Sequence, residues 1–216
     1  MKNSHLLCFL FLCSAAGFSS LRAQNLVSNG DFEKGTAGWT IFAPAEAKEC
    51  NPLLEAVAGG RDESQAGQMS CSAPARFAIT NYLKKGTYGQ GQRLRVSAWI
   101  KAGEDFEPQA RTPGFVIRVT MFTDGEGAGG GMAPAQDGSF CIGLNGTAIR
   151  GNEVGALNDQ GVPKEWTKVE GVFETSPDVT NMNVAVFIWK GSGKLLIDDV
   201  VIEPVDESVA LSPTAN

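Results

Sequence analysis

The chain has 216 residues, 43% hydrophobic and 19% charged, with 18 basic against 24 acidic side chains and a net charge of −6. That composition holds enough apolar side chain for a packed core, excludes a disordered chain, and at this length suits one domain. An acidic chain without a basic stripe predicts no nucleic-acid partner, because phosphate contacts dominate that affinity, and predicts against anionic polymers by the same argument.

Residues 1–23 predict a secretory signal peptide. Lys2 gives a positive start, and 6–18 is an uncharged apolar run, shorter than the roughly 20 residues a membrane-spanning helix needs. Ala23 suits the last residue before cleavage. Cys13 raises the alternative of a lipid anchor, but bulky Leu12 precedes it where that chemistry wants a small residue. A secreted or periplasmic location is therefore expected, and no later segment is apolar enough to span a membrane. Cleavage removes His5, the only histidine, together with Lys2 and Arg22, so the net charge moves from −6 to −8. Cys50, Cys71 and Cys141 remain. Export favours one bridge with one thiol left over, and three buried free thiols are the alternative.

Beyond the leader, residues 25–39 read NLVSNGDFEKGTAGW, a short apolar run breaking into glycine-rich turns, with a strand beginning at 39–42. Residues 51–57 are weakly helical, and Pro52 and the glycines that follow favour a loop equally. Over 93–101, Leu94, Val96, Ala98 and Ile100 alternate with Arg95, Ser97, Trp99 and Lys101. That period of two predicts a strand with one buried face. The pattern returns over 115–122, and 167–173, 184–188 and 194–203 are further strands. Residues 124–162 are glycine-rich and predict the least regular structure. GEGAGGG at 125–131 lacks the Gly-Lys-Ser/Thr ending of a phosphate loop. Residues 206–216 predict a flexible C-terminal tail. Several strands without a long helical pattern point to an antiparallel sandwich.

The opening motif resembles the start of the carbohydrate-binding modules of families 4, 9, 16 and 22, through Asn25, Leu26, Asn29, Gly30, Phe32, Glu33, Gly35, Gly38 and Trp39. Three later segments fit the same families in order: RLRVSAWIKAG, WTKVEGVFETS with Trp166 leading, and GKLLIDDVVIEPV. The resemblance implies an all-β fold: a galactose-binding-like jelly-roll β-sandwich of two antiparallel sheets over 24–205. It implies an oligo- or polysaccharide as partner and one structural calcium, with side-chain oxygens from Glu33 and Asp198 and a carbonyl from Asp31. It also makes Trp39 and Trp166 structural fixed points. Asp199, next to Asp198 on a strand, is expected on the opposite face.

Sugar recognition needs flat apolar surfaces beside hydrogen-bonding side chains. Alternation puts Trp99 and Arg95 outward on one strand and Arg118 on the polar face of another. It gives Asn183, Phe187 and Trp189 a shared face opposite Val184, Val186 and Ile188. Trp99, Trp189, Arg118, Phe187 and Arg95 are thus the candidate carbohydrate-binding residues. Without a histidine the exported chain can form neither a Ser-His-Asp nor a Cys-His arrangement. The adjacent carboxylates Asp198 and Asp199 diverge instead of flanking a glycosidic bond. A non-catalytic binding protein is the expected reading. The alternatives are an exported surface or scaffold protein that binds another protein, and a glycan-active hydrolase.

Overall fold

A computed structural model describes residues 24–127 and 131–215. The expected signal peptide, 1–23, lies outside the described residues. Ten strands follow in chain order: β1 (Thr40–Phe42), β2 (Leu53–Ala58), β3 (Gln65–Tyr82), β4 (Arg93–Ala102), β5 (Glu107–Pro108), β6 (Gly114–Glu126), β7 (Met132–Ile142), β8 (Ala148–Arg150), β9 (Thr167–Glu174) and β10 (Asn181–Pro204). The helical content is three short 3-10 turns, Ala45–Cys50, Leu144–Gly146 and Val154–Leu157. Every strand pairing is antiparallel.

Two long strands generate the sandwich. The first half of β10 pairs with the second half of β3 and with β6. This front sheet runs β1-β3-β10-β6-β7-β8. The second half of β10 pairs with the first half of β3 and with β4, and the back sheet is completed by β2 beside β3 and β9 beside β4. The two sheets pack face to face. Phe140 of β7 stacks on Phe173 of β9 with ring centroids 5.1 Å apart. A Cβ at Gly171 of β9 would come within 2.6 Å of Ile142, so glycine there lets the layers close. Between them lie Leu94, Val96, Ala98 and Ile100 of β4, Phe115, Ile117, Val119 and Met121 of β6, and Val184, Val186 and Ile188 of β10, all fully buried. These are the inward sets that alternation predicts.

The strands cross between sheets at a defined bend. The β10–β3 register shifts between Trp189 and Gly191 and again between Gly191 and Gly193. Such bulges bend a strand sharply. Lys190 and Gly193 have φ of 57° and 86°. A Cβ at Gly193 would sit 2.1 Å from the Asp105 carbonyl oxygen, so only glycine fits.

The opening motif closes one end of the barrel-like core. Asn25 Oδ1 accepts from Ile202 N at 3.0 Å while its Nδ2 donates to the Val200 carbonyl at 3.0 Å. Asn29 braces the turn that follows, accepting from Lys34 N and donating to the Gly35 and Ala37 carbonyls. Trp39 Nε1 donates to the Asn29 carbonyl at 3.0 Å, and its ring stacks on buried Phe32 at 5.3 Å. A Cβ at Gly30 would lie 2.0 Å from the Val200 carbonyl oxygen. The motif therefore ties the chain's beginning to β10, and Trp39 is structural as expected. Trp166 is half-buried just before β9.

Several local expectations are corrected. Residues 51–57 are not helical: after two loop residues, 53–57 form most of β2. β3 was not expected: small residues and Pro74 interrupt its alternation. The glycine-rich 124–162 contains β7 and β8. The two closing strands are one continuous β10. The tail is docked: Ser212 N donates to the Val172 carbonyl, Ala215 N to the Ala148 carbonyl, and the Arg93 guanidinium holds the carbonyls of Glu207 and Val209.

Cys50, Cys71 and Cys141 are buried free thiols. Burial, with the neighbouring Cys50 thiol adding to it, pushes the Cys71 thiol up to about 12, and burial raises Cys141 to about 12. Because the thiolate is the nucleophile, iodoacetamide at pH 8 is expected to label Cys71 and Cys141 only after denaturation; rapid labelling of the folded protein contradicts their burial. Gly193→Ala is expected to lower unfolding free energy by about 2 kcal/mol or more, since it adds both a strained φ and a clash. An unchanged urea midpoint contradicts this account of the bend.

Candidate functional site

The outward face of the front sheet forms a cleft of about 660 Å³. Register explains its lining. Asn183 lies opposite Tyr82 and Thr120, Ala185 opposite Thr80 and Arg118, and Phe187 opposite Ala78 and Val116. Thr120 in turn faces Ser139 of β7, and Thr40 of β1 faces Thr80. The floor is thus threonine, serine, asparagine and alanine, with Phe187 at one end. Phe42 and Tyr82 stand at the rim, each 57% exposed, and Ile41 lies beside them at 42%. The cleft's lining contains no aspartate, glutamate or cysteine.

Arg118 enters from β6. Its guanidinium lies 4.4 Å from the centre of the Phe187 ring, and Nη1 donates to Asn152 Oδ1 at 3.3 Å. Ser139 Oγ donates to the same oxygen at 3.1 Å. Arg118 Nε is buried with no partner among the described residues. Burial holds the guanidinium pKa below its usual value, the Cys141 thiol opposing this and nearby Arg76 adding to it. Beyond Arg118 the face continues into a second hollow of about 570 Å³, whose wall shares Arg118 and Asn152 with the cleft and includes Trp189 and Arg76. Trp189 packs edge-on against Phe187 with centroids 5.4 Å apart, and Arg76 lies over Trp189 at 5.1 Å.

Three of the five expected sugar-binding residues, Arg118, Phe187 and Trp189, are therefore brought to one face. The other two are not. Trp99 and Arg95 do face outward, but β4 belongs to the back sheet, so they lie on the opposite side of the molecule. Trp99 is covered by the Arg61 guanidinium at 4.8 Å, and Arg95 pairs with Glu203 at 3.2 Å. Alternation within a strand gives the face but not the sheet. Sequence reasoning missed Tyr82 and Phe42. The signal was present in β3, where Arg76, Ala78, Thr80 and Tyr82 alternate with Phe77, Ile79 and Asn81.

Two of the three residues expected around calcium, Glu33 and Asp198, are hydrogen-bonded to the turn joining β2 to β3 on the back sheet. Asp198 is 1% exposed. Its Oδ2 accepts from Arg61 N at 2.8 Å and Ser64 Oγ at 3.3 Å, and its Oδ1 accepts from Asp199 N at 2.7 Å. Glu33 Oε1 accepts from Gln65 N at 2.7 Å. Glu33 and Asp198, from opposite ends of the chain, are thus hydrogen-bonded to the same turn. The Asp31 carboxylate accepts from Glu33 N at 3.4 Å. Asp199 corrects the expectation that it points away. A bulge between Asp198 and Val201 and a φ of 47° break the alternation, so Asp199 Oδ2 accepts from Arg61 Nε at 2.9 Å.

The donor set of this corner is all oxygen, as calcium prefers. A Cβ at Gly60 would fall 2.5–2.7 Å from Ser64 Oγ, the Gln65 carbonyl oxygen and Asp198 Oδ2, so three oxygens converge where glycine leaves room. Among the described residues no group of three or more acidic, histidine or cysteine side chains could hold a metal; an ion here needs backbone carbonyls as well. Burial raises the Asp198 pKa above the ordinary aspartate value, opposed by its N–H donors.

No protein-family model matches the chain, and no curated protein is similar to it in sequence. Solved structures do match. The xylan-binding CBM22-1 domain of Paenibacillus barcinonensis Xyn10C superposes with a TM-score of 0.54 at 16% identity, covering 86% of this chain and 97% of that one. The fold is that of a carbohydrate-binding module. The Clostridium thermocellum xylanase 10B fragment, CBM22-1 with its GH10 module in complex with xylohexaose, matches with a TM-score of 0.52 at 15% identity, over 85% of this chain and 29% of that one. The enzymatically active domain of the bacteriophage CBA120 tailspike protein 4 matches with a TM-score of 0.52 at 13% identity, over 84% of this chain and 21% of that one. This chain thus spans under a third of those two larger proteins.

Asp198→Ala is expected to lower unfolding free energy by about 3 kcal/mol, because it strands two backbone N–H groups and a hydroxyl that the carboxylate now accepts. A change below about 1 kcal/mol in urea denaturation contradicts the corner's structural role.

Proposed function

We propose that the protein is an exported, non-catalytic carbohydrate-binding protein that holds an oligo- or polysaccharide along the front-sheet cleft. The observation that carries the reading is the pairing of exposed Phe42 and Tyr82 with a polar floor of Thr80, Thr120, Ser139, Asn183 and Arg118. A pyranose presents a C–H face and a rim of hydroxyls, and it needs an aromatic platform beside hydrogen-bonding groups. Exposed rings bordering a cleft are also where a monomer leaves apolar area in water for a ligand to cover. The carbohydrate-binding modules that share the fold support the same reading.

The absence of a carboxylate from the cleft's lining favours binding over hydrolysis, which needs two flanking the scissile bond. Export is supported by the charge and apolar pattern of residues 1–23. Among the described residues no helix is long and apolar enough to cross a membrane. We propose also that Glu33 and Asp198, with carbonyls that include Asp31, hold a structural calcium at the back-sheet corner. The convergence of oxygens at Gly60 supports it. A cation there offsets the cost of an ionised, buried Asp198.

Calorimetry against a panel of neutral and acidic oligosaccharides tests the binding reading. Binding without turnover is expected, with Tyr82→Ala and Phe42→Ala each weakening it by about tenfold, on the order of 1.4 kcal/mol, at unchanged melting temperature. Trp99→Ala is expected to leave affinity unaltered. Silence across the panel refutes the sugar reading and favours a protein partner; turnover favours a hydrolase.

Chelation tests the calcium. Binding to the folded state alone stabilises by mass action, so chelator is expected to lower the melting temperature, and Glu33→Gln or Asp198→Asn to shrink that drop. The sign with pH follows from Asp198. With its folded pKa raised, the group's contribution to stability is full below the unfolded value and is lost as pH rises through the folded one. Protons and calcium compete for the carboxylate, so the chelator effect should be larger at pH 7 than near pH 4. A melting curve indifferent to chelator at pH 7 refutes the site.

A further inference from the structure

The hollow beside the cleft collects charge of the sign opposite to that of the protein. Arg76, Arg111, Arg118 and Lys190 line it, with Glu153 as the single carboxylate. This happens in a chain of net charge −6. The four cations come from β3, the loop before β6, β6 itself and the bend of β10, so they are dispersed in sequence and brought together only by the fold.

Their counter-charges are few. Arg76 Nη2 is 4.0 Å from Glu46, at the limit of an ion pair and between exposed side chains, where such pairs are worth little. Arg118 bonds only the neutral Asn152 oxygen through Nη1, and its Nε is buried and unpartnered. Arg111 has its backbone N–H, not its side chain, on Asp159 Oδ1 at 2.9 Å. A buried guanidinium N–H without an acceptor is costly, and two guanidiniums near each other add repulsion. The rings of Phe187 and Trp189 offset part of this by lying under Arg118 and Arg76. Against four cations the hollow sets one carboxylate, Glu153, which makes no ion pair with them among the described residues.

Resting on the carbohydrate reading, we propose that this hollow binds the carboxylate of a uronic-acid unit, so that the glycan taken by the protein is an acidic one. A guanidinium presents a planar fork that a carboxylate matches with two parallel hydrogen bonds. Trp189 lies under Arg76 and holds its guanidinium toward the hollow, and Thr112, Asn152 and Asn158 offer partners for sugar hydroxyls. About 570 Å³ lies within the ordinary range for a small-molecule site. Because the cleft and the hollow share Arg118 and Asn152, the acidic unit continues the chain held in the cleft. The proposal departs from the expectation from net charge that anionic polymers are excluded: net charge is a sum, and the hollow is a local departure from it.

The test is calorimetry on the chain from Gln24 with oligogalacturonate, an alginate oligomer and a glucuronoxylan fragment. Each is compared with its carboxyl-reduced counterpart, and neutral xylo- and galacto-oligosaccharides complete the set. At least one acidic oligomer is expected to bind tenfold or more tighter than its reduced form, with the advantage shrinking in high salt. Arg76→Gln with Arg111→Gln, variants outside the cleft, should abolish that advantage while leaving neutral-ligand affinity and melting temperature in place. Equal binding of acidic and reduced oligomers overturns the inference and leaves the carbohydrate reading standing. Silence toward every sugar, neutral ones included, overturns both. Preference for a sulfated oligomer over all three uronates overturns the carboxylate assignment, and equal binding of heparin and single-stranded DNA reduces the hollow to general polyanion attraction.

Discussion

The bend in β10 governs the molecule. One strand of 24 residues supplies the middle of the front sheet with its first half and the middle of the back sheet with its second. Between them, Lys190 and Gly193 adopt positive φ, and Gly193 lies against the backbone at Asp105. Both sheets inherit their alternation from the two halves. Before the bend, Val184, Val186 and Ile188 face the core, so Asn183, Ala185, Phe187 and Trp189 face the cleft. After it, Leu195 and Ile197 face the core, so Asp198 faces out beneath the turn that joins β2 to β3. The cleft and the acidic corner are therefore on opposite sides of the sandwich for a single backbone reason.

That constraint also decides what could be read from the sequence. Alternation over 93–101 and 115–122 was strong because β4 and β6 keep one face buried along their length. The opening and closing motifs were legible because their asparagines, glycines and aromatics are locked to each other; Asn25 and Gly30 meet β10 directly. β3 escaped notice because it crosses between sheets. Its middle, with Ser72, Ala73 and Pro74 exposed, carries no buried face to give a period. The tail was misread for a different reason. Polar composition predicts a free end only if no backbone acceptors are offered nearby, and β9 and β8 offer several.

The candidate site was half legible on the same grounds. Phe187, Trp189 and Arg118 could be found because each sits on a strand whose inward set is plain. Alternation sets Trp99 and Arg95 outward on their strand with no sheet assigned, and β4 carries them on the sheet away from the cleft. Period two distinguishes in from out, but sheet membership is a long-range property set by register between β4 and the second half of β10. Tyr82 and Phe42 depend on recognising β3 and its short partner β1. The alternation of Arg76, Ala78, Thr80 and Tyr82 with Phe77, Ile79 and Asn81 is a local trace of that strand, but a short one, cut off by the exposed middle of β3.

Charge shows the limit of sums most clearly. The same chain places Arg61 over Trp99 on the back and Arg76 and Arg118 over Trp189 and Phe187 on the front. On the back, carboxylates answer the guanidinium: the hydrogen bond to Asp199, with the Coulombic attraction of Asp199, Asp62 and Asp198, outweighs the opposing cost of burial and leaves the Arg61 pKa raised. On the front the buried member of the pair, Arg118, has its pKa lowered, because burial and a second cation outweigh what its surroundings return. Two similar arginine–aromatic contacts, Arg61 over Trp99 and Arg118 over Phe187, thus sit in opposite electrostatic states. A structural role is complete on the back, where the arginine is already neutralised by its own protein. On the front, Arg118 and Arg76 lie over rings that cannot accept hydrogen bonds in the plane of the fork; Asn152 takes one N–H of Arg118, and its buried Nε has no acceptor among the described residues.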